Sequence, residues 1–350
     1  MHTDERIPIA IVGLNFGRYI VEQLCAPRSK APFRVTGLCD LDRRRAEVLA
    51  ERFGALRIYG SLDEVLADPK TPVVGLFTGP VGRAELIGRI IAAGKDCMTT
   101  KPFESDPAAA RTVLERAARL GRVVHLNSPP PGLGASVRTI AAWREAHGLG
   151  RPVAAHAAVW CSYREAADGT WYDDPARCPA APLTRLGIYL LNELVPLLGR
   201  ARRVGVLGSR LFTGRPTADN AQLAIEFESG ALASVLASFC VRDGDAYRNS
   251  MMIHFENGTV YRDVGPDRAE PGHMELALVT SAEDGAGRRV RERRILPGHG
   301  GEYDWEGFAR AVRREPDAPG YDIEHVVEPL RVLAAMAKAE RTGEFVEVAR

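Results

Sequence analysis

The chain has 350 residues, more than one ordinary core accommodates, and 45% of them are apolar, enough to bury two. Its 46 Lys plus Arg against 45 Asp plus Glu leave a formal net charge of +1, so no net field directs it to nucleic acid or an anionic membrane, and a small molecule is the expected partner. The opening MHTDERIPIA has no basic region followed by an apolar one, and no run of about 18 apolar residues occurs; a soluble, cytoplasmic protein is expected.

The first 126 residues alternate strand and helix. IPIAIV, FRVTGLC, LRIY, VVGLF, DCMTT and RVVHL are short runs rich in strand-forming residues, and the first five each lead into a helical pattern. Ser61 is placed to cap SLDEVLADP, Asp106 with Pro107 to open DPAAARTVLERAARLG, and Gly54, Gly94 and Gly121 to stop helices. Strict alternation predicts a Rossmann-type α/β domain over 1–126, a parallel sheet with helices on both faces.

From residue 127 to 350 the pattern changes. Two helical segments are followed by AQLAIEF, a turn ESG and ALASVLASF, then MMIHF, a turn ENG and TVYRDV, then MELALVT and RRVRERRIL. Strands joined by tight Gly turns pair antiparallel, so the second domain is expected to be α+β around an open, mostly antiparallel sheet. The face left without helices would suit a second subunit, giving a homodimer or homotetramer. GRRVRERRIL, basic on alternate positions, reads as a solvated strand face. DIEHVVEPLRVLAAMAKAERTG reads as a long amphipathic helix, with the option of packing back near the first domain. The six cysteines (Cys25, Cys39, Cys97, Cys161, Cys178, Cys240) have no C-x-x-C or Cys/His spacing, so neither a disulfide frame nor a metal site is expected. His156, His254 and His325 fall in apolar or helical patterns and are expected to be structural.

IPIAIVGLNFGRYIVEQL raises the question of a nucleotide. A helix N-terminus after a strand offers N–H groups and a positive dipole end to a pyrophosphate. Gly13 fits the first position of a G-x-G-x-x-G turn, Asn15 occupies the second and Arg18 the third, with Phe16 between them and Gly17 one place early. Asn tolerates left-handed backbone angles and its amide can donate to a phosphate oxygen. Asp40 closes the second strand 27 positions after Gly13, where a carboxylate accepts ribose hydroxyls and repels a 2′-phosphate, favouring NAD over NADP. Arg43 and Arg44 just beyond it could soften that preference and keep NADP possible.

VVGLFTGPVGRAELIGRIIAAGKDCMTTKPFESDPAAA, with Asp40 and the order of elements, resembles the Gfo/Idh/MocA family of oxidoreductases over nearly the whole chain. That family carries a T-P-N turn after its fourth strand and an E-K-P turn after its fifth. Here they read Thr78-Gly79-Pro80 and Thr100-Lys101-Pro102: the lysine is kept, the glutamate is not. The resemblance implies a nicotinamide near these strand ends and Lys101 as the group exchanging a proton with the reacting oxygen. An ammonium desolvated beside an oxidised ring would have its pKa drawn toward neutral. Asn127 matches an asparagine after the sixth strand.

The family's substrate helix carries D-x-G-x-H-x-x-D; PLTRLGIYLLNELVPLLG puts Arg185, Gly187, Tyr189 and Asn192 there. Positions 185, 189 and 192 would share a helix face. The tyrosine in place of histidine is similar to the branch with glucose-fructose oxidoreductase, dimeric dihydrodiol dehydrogenases and some nucleotide-sugar ketoreductases, and a phenol can donate to the reacting oxygen. Arg185 would hold down the lysine's pKa, bind an anionic substrate group, or mark lost chemistry. Trp171 stands where relatives carry an aromatic over the substrate, with Asp173 and Asp174 near it in sequence. The resemblance thus implies hydride transfer between NAD(P) and a secondary alcohol or ketone of a sugar, nucleotide-sugar or cyclitol. An imine reductase and a non-catalytic NAD(P)-binding regulator are the alternatives.

Overall fold

The computed structural model of the chain describes residues 5–54, 56–244, 247–266, 270, 272–283, 289–298 and 301–350. The start of the basic run, at 287 and 288, lies outside them. The described residues form two compact units, one reaching to Gly132 and including Tyr303–Ile323, the other made of Leu133–Glu302 and Glu324–Arg350. The sequence pattern ran the second domain unbroken from 127 to 350; by contacts, Tyr303–Ile323 belong with the first.

In the first unit β1 (Ile7–Val12), α1 (Leu14–Leu24), β2 (Phe33–Cys39), α2 (Arg43–Phe53), β3 (Arg57–Ile58), α3 (Leu62–Ala67), β4 (Val73–Leu76), α4 (Arg83–Ala92), β5 (Asp96–Thr99), α5 (Pro107–Arg119) and β6 (Val124–Leu126) follow one another. All pairings are parallel, in the order β3-β2-β1-β4-β5-β6. Strand order reverses between β1 and β4, which makes the carboxyl ends of these two strands the place where such sheets bind ligands. The anticipated caps hold: Ser61 accepts from the Glu64 amide, and Asp106 from those of Ala108 and Ala109. Gly54, Gly94 and Gly121 take positive φ past their helices.

The second unit opens with α6 (Ala135–Ala146) and β7 (Pro152–Cys161), continues through α7 (Ile188–Leu198), β8 (Ala201–Ser209), β9 (Asn220–Phe227), β10 (Leu232–Ser238), β11 (Tyr247–Phe255), β12 (Gly258–Arg262), β13 (His273–Glu283) and β14 (Arg289–Pro297). After α8 (Trp305–Val312) come α9 (Ile323–Thr342) and β15 (Val346–Glu347). The nine-stranded sheet runs β14-β13-β12-β11-β7-β10-β9-β8-β15. The expected hairpins β9–β10 and β11–β12 are present, and every pairing is antiparallel except β10 with β7.

α8 explains the return to the first unit. Its Trp305 and Phe308 are buried against Phe33 of β2, with ring centroids 5.5 and 5.1 Å away. Burying each such ring is worth about 2–3 kcal/mol. Arg314, just after α8, pairs with Asp96 of β5 at 2.9 Å. The long amphipathic helix α9 belongs to the second unit, and Gly343 ends it with φ 72°. No described helix is long and apolar enough to cross a membrane.

Candidate active site

The turn between β1 and α1 is built on two glycines four residues apart. Gly13 has φ 85°, and a Cβ there would stand 2.9 Å from the carbonyl carbon and oxygen of Phe77. Gly17 is buried, and a Cβ on it would meet Ile11 Cγ2 at 3.1 Å. The close approach of helix to sheet is therefore served by Gly17, and the Arg18 side chain turns outward to the Tyr19 hydroxyl at 2.7 Å. Asn15 is half-buried in the first turn, and the exposed Phe16 ring lies 6.1 Å from that of Phe77. Gly13 at the N-cap has no side chain to cap α1 and no acidic residue stands in the helix's own first turn, which leaves the amides after Leu14 open to an anion.

Asp40, at the end of β2, ties this turn to the next. One carboxylate oxygen accepts from the Leu14 amide at 2.5 Å and the other from the Asp42 amide at 2.8 Å. Asp42, rather than Asp40, caps α2, through the Arg44 amide. Arg43 is exposed on α2 and paired with Glu47 at 2.9 Å.

The ends of β4 and β5 are held together by a residue the sequence reading passed over. Arg83, 1% exposed, donates through Nη1 to the carbonyls of Thr100 (2.6 Å), Phe103 (3.1 Å) and Pro102, and through Nη2 to that of Thr78. One guanidinium thus braces Thr78-Gly79-Pro80 and Thr100-Lys101-Pro102, a job for a planar group with several donors. Glu104, 2% exposed, accepts from the amides of Gly82 (3.2 Å) and Ala84 (2.7 Å) and so caps α4. A cation as the first residue of α4 runs against the helix dipole, and that mismatch was a legible sign of another role. On the other side, the Asn127 side-chain oxygen Oδ1 accepts from the Lys101 amide at 3.1 Å and the Thr100 hydroxyl at 3.4 Å. Lys101 itself is half-buried. The Thr78 hydroxyl is buried without a hydrogen-bond partner in the protein, as a ligand-facing group would be.

A nicotinamide dinucleotide fits this end of the first unit on three observations: the glycine N-cap of α1, the carboxylate of Asp40 at a strand tip, and the unsatisfied Thr78 hydroxyl. The amides of Asn15 and Phe16 would hold the pyrophosphate and Asp40 the ribose hydroxyls. Among the described residues no group of three or more His, Cys, Asp or Glu is arranged to hold a metal.

In the second unit Leu183–Gly187 form a π-helical turn before α7 begins at Ile188, so Arg185 lies in the π-turn while Tyr189 and Asn192 lie in the α-helix. Arg185 is 8% exposed and faces inward. Its guanidinium lies over the rings of Tyr172 (3.9 Å), Phe239 (4.7 Å) and Tyr163 (5.5 Å) and meets Glu165 at 3.1 Å. Burial disfavours its charge, but Tyr172 and Glu165 outweigh that and hold its pKa above the ordinary arginine value.

Arg215, 5% exposed, reaches the same carboxylate at 3.6 Å, Asp173 at 2.6 Å and the Ala166 carbonyl at 2.7 Å. Two arginines therefore staple the 163–174 segment. In that segment Trp171 is half-buried with its ring 4.4 Å from Tyr172, Asp173 also accepts from the amides of Asp168 and Gly169, and Asp174 accepts from the Ala176 amide. Tyr189 is half-buried with Gly301 against its ring, a Cβ there coming within 3.0 Å. Asn192 is 4% exposed, and its backbone carbonyl faces His325 Nε2 at 3.3 Å. Arg262, 2% exposed, pairs with Glu193 and anchors α7 to the sheet.

Residues 7–128 match the family described as "Oxidoreductase family, NAD-binding Rossmann fold", and residues 137–261 the "GFO/IDH/MocA C-terminal domain". The chain is 28% identical over 113 residues to trans-1,2-dihydrobenzene-1,2-diol dehydrogenase of Oryctolagus cuniculus, a stretch covering 32% of this chain and 34% of that protein. It is 37% identical over 83 residues to an uncharacterized oxidoreductase of Rhizobium meliloti, 24% of each chain. These matches span about a third and a quarter of the curated relatives' lengths. The fold is similar to an oxidoreductase of Desulfitobacterium hafniense described as putative and NADPH-dependent (TM-score 0.75, 17% identity, 98% of both chains). It is also similar to GenD2 from gentamicin A biosynthesis in complex with NAD (TM-score 0.70, 22% identity, 100% and 98%).

Proposed function

Because the chain belongs to the Gfo/Idh/MocA family of oxidoreductases, we propose that it transfers hydride between a nicotinamide dinucleotide and a secondary alcohol or ketone of a sugar, nucleotide-sugar or cyclitol. The bound dinucleotide supplies or accepts the hydride. Lys101 gives a proton from its ammonium to the carbonyl oxygen in reduction, or takes it from the hydroxyl in oxidation. Tyr189 assists as a hydrogen-bond donor to the substrate, and Asn192 and Trp171 contribute to holding it.

The observation that carries this reading is the bracing of the Lys101 turn. Arg83 holds the carbonyls of Thr100, Pro102 and Phe103 and Asn127 holds the Lys101 amide, which fixes the origin of a lysine side chain far more closely than a surface residue needs. Asp40 favours NAD(H) over NADP(H), while Arg43 is paired with Glu47 and Arg45 lies 3.9 Å from the Asp40 carboxylate.

Titration with NADH and NADPH by fluorescence, followed by turnover on a panel of ketoses, cyclitols, nucleotide-sugars and cyclic imines, tests it. Lys101→Ala is expected to lower kcat by about 10²–10⁴-fold with cofactor binding retained. Binding without any Lys101-dependent turnover would instead support the regulator, whose motive is Arg185: a family carboxylate position filled by a cation locked among aromatic rings. Half-buried small and apolar side chains on the outer positions of β7 and β10, Ala154, Ala158 and Leu236, support assembly into a homodimer or homotetramer through the second sheet, checked by sedimentation.

A further inference from the structure

The outermost strand of the first sheet, β6, has a neighbour on one side only, β5. On the other side Leu126 presents an amide and a carbonyl that a sheet would normally pair, and a buried pair left unmade costs free energy. Both are met by one side chain from the returning segment. The Tyr321 hydroxyl accepts from the Leu126 amide at 3.0 Å and donates to the Leu126 carbonyl at 2.7 Å, with the Pro129 carbonyl also in reach at 3.1 Å. A single phenol does what an adjacent strand would do. The phenol is itself fixed, its ring edge-on to His125 at 5.1 Å.

Leu126 is followed at once by Asn127, 3% exposed, whose side chain accepts from the Lys101 amide. We propose that Tyr321 is a positioning residue for Lys101, holding Leu126 so that Asn127 stays against the Lys101 turn. This rests on the catalytic reading of Lys101 for its functional meaning, though the physical link does not. It also gives the return of Tyr303–Ile323 to the first unit a purpose beyond packing: α8 supplies the anchoring rings, and Tyr321 uses that anchorage to tie down the end of β6. The reaction itself is unchanged by the proposal, since Tyr321 touches neither proton nor hydride.

Tyr321→Phe removes the hydroxyl and keeps the ring. Amide hydrogen exchange at Lys101, followed without substrate, is expected to quicken by about tenfold, the scale of one or two lost hydrogen bonds. In turnover kcat should fall by a comparable factor while KM for the dinucleotide stays within about twofold, because the α1 turn and Asp40 are untouched. Tyr321→His, which returns a ring with a donor and an acceptor, should recover part of the loss.

Should Tyr321→Phe not fold, Asn127→Leu carries the same expectation one link on: Lys101 exchange rises while Leu126 stays protected. Unchanged exchange at Lys101 in the variant that folds overturns the proposal. So does a fall in kcat matched by an equal rise in the dinucleotide KM, which would mark general loosening. If Lys101→Ala retains full turnover the catalytic reading fails, while faster Lys101 exchange in Tyr321→Phe still upholds the structural link.

Discussion

Arg185→Met separates an arginine that binds substrate from one that holds the protein together. The guanidinium is stacked over Tyr172 at 3.9 Å and Phe239 at 4.7 Å in a site only 8% exposed, where a desolvated cation–π contact is worth up to about 2 kcal/mol. Its pair with Glu165 adds less, because that carboxylate is 42% exposed and has Arg215 at 3.6 Å as a second partner; about 1 kcal/mol is a fair allowance. Methionine refills much of the volume and keeps favourable contact with the rings, so the net loss should be about 2–3 kcal/mol. Urea unfolding of wild type and variant would register it as a lower midpoint at unchanged slope. Because the cost is local to the 163–174 segment, chymotryptic cleavage at Tyr163, Trp171 and Tyr172 in native buffer should rise by at least about tenfold. A variant that unfolds within about 0.5 kcal/mol of wild type, resists chymotrypsin equally, and loses only affinity for anionic substrates would refute this account and restore Arg185 as an anion-binding residue.

Other outcomes follow from the same contacts. Burial drops the His125 pKa to about 4, against a bond to the Pro319 carbonyl that raises it; the ring is neutral in the fold, so its stabilisation is complete above pH 6.5 and is lost as pH falls toward 4, by roughly 3 kcal/mol. Urea unfolding at pH 7.5 and 4.5 should show His125→Phe abolishing that part of the acid sensitivity, and an unaltered slope would contradict it. Gly13→Ala places a Cβ 2.9 Å from the Phe77 carbonyl at φ 85°, whereas Gly82→Ala at φ 74° meets nothing within 4 Å. The first should cost about 2 kcal/mol or more and weaken NADH binding, the second about 1 kcal/mol with binding intact, as denaturation and fluorescence titration would report. Asp40→Ser removes the carboxylate proposed to meet the ribose and should shift the NADPH-to-NADH affinity ratio by about tenfold or more toward NADPH; an unmoved ratio places the discrimination elsewhere.

How far these features were legible depended on whether their causes are local. The first sheet was readable because its strands are short apolar runs, the first five each leading into a helical pattern, and Asp40 and Lys101 were readable because they close such runs. β7 was not readable. PVAAHAAVWC is rich in alanine, which favours helix and has little strand propensity, and it is a strand because β10 and β11 pair with it on both sides. Arg83, Tyr321 and the cage around Arg185 escaped for a related reason: Tyr163, Tyr172 and Phe239 reach Arg185 from positions 13 to 54 residues away, and no local period encodes that. The π-turn at Leu183–Gly187 likewise gave no warning in the spacing.

The departures from the family pattern divide by unit, and the division bears on what has changed. At the dinucleotide end two of the altered residues are matched by others that support the backbone. The glycine missing at position 18 is supplied at 17 against Ile11, and the turn that lacks a glutamate before Lys101 is braced by Arg83 from α4, with Glu104 capping that helix. Compensation of this kind conserves a geometry, and a geometry is what a shared cofactor requires. On the substrate-side helix Arg185 does not reproduce the carboxylate it stands for: it turns inward, inverts the charge and recruits its own aromatic cage and partner carboxylate. With that position withdrawn into structure, Tyr189 and Asn192 are what remain of the family's polar set on the helix. A protein that conserves one end and rebuilds the other is better read as having changed its substrate than its chemistry.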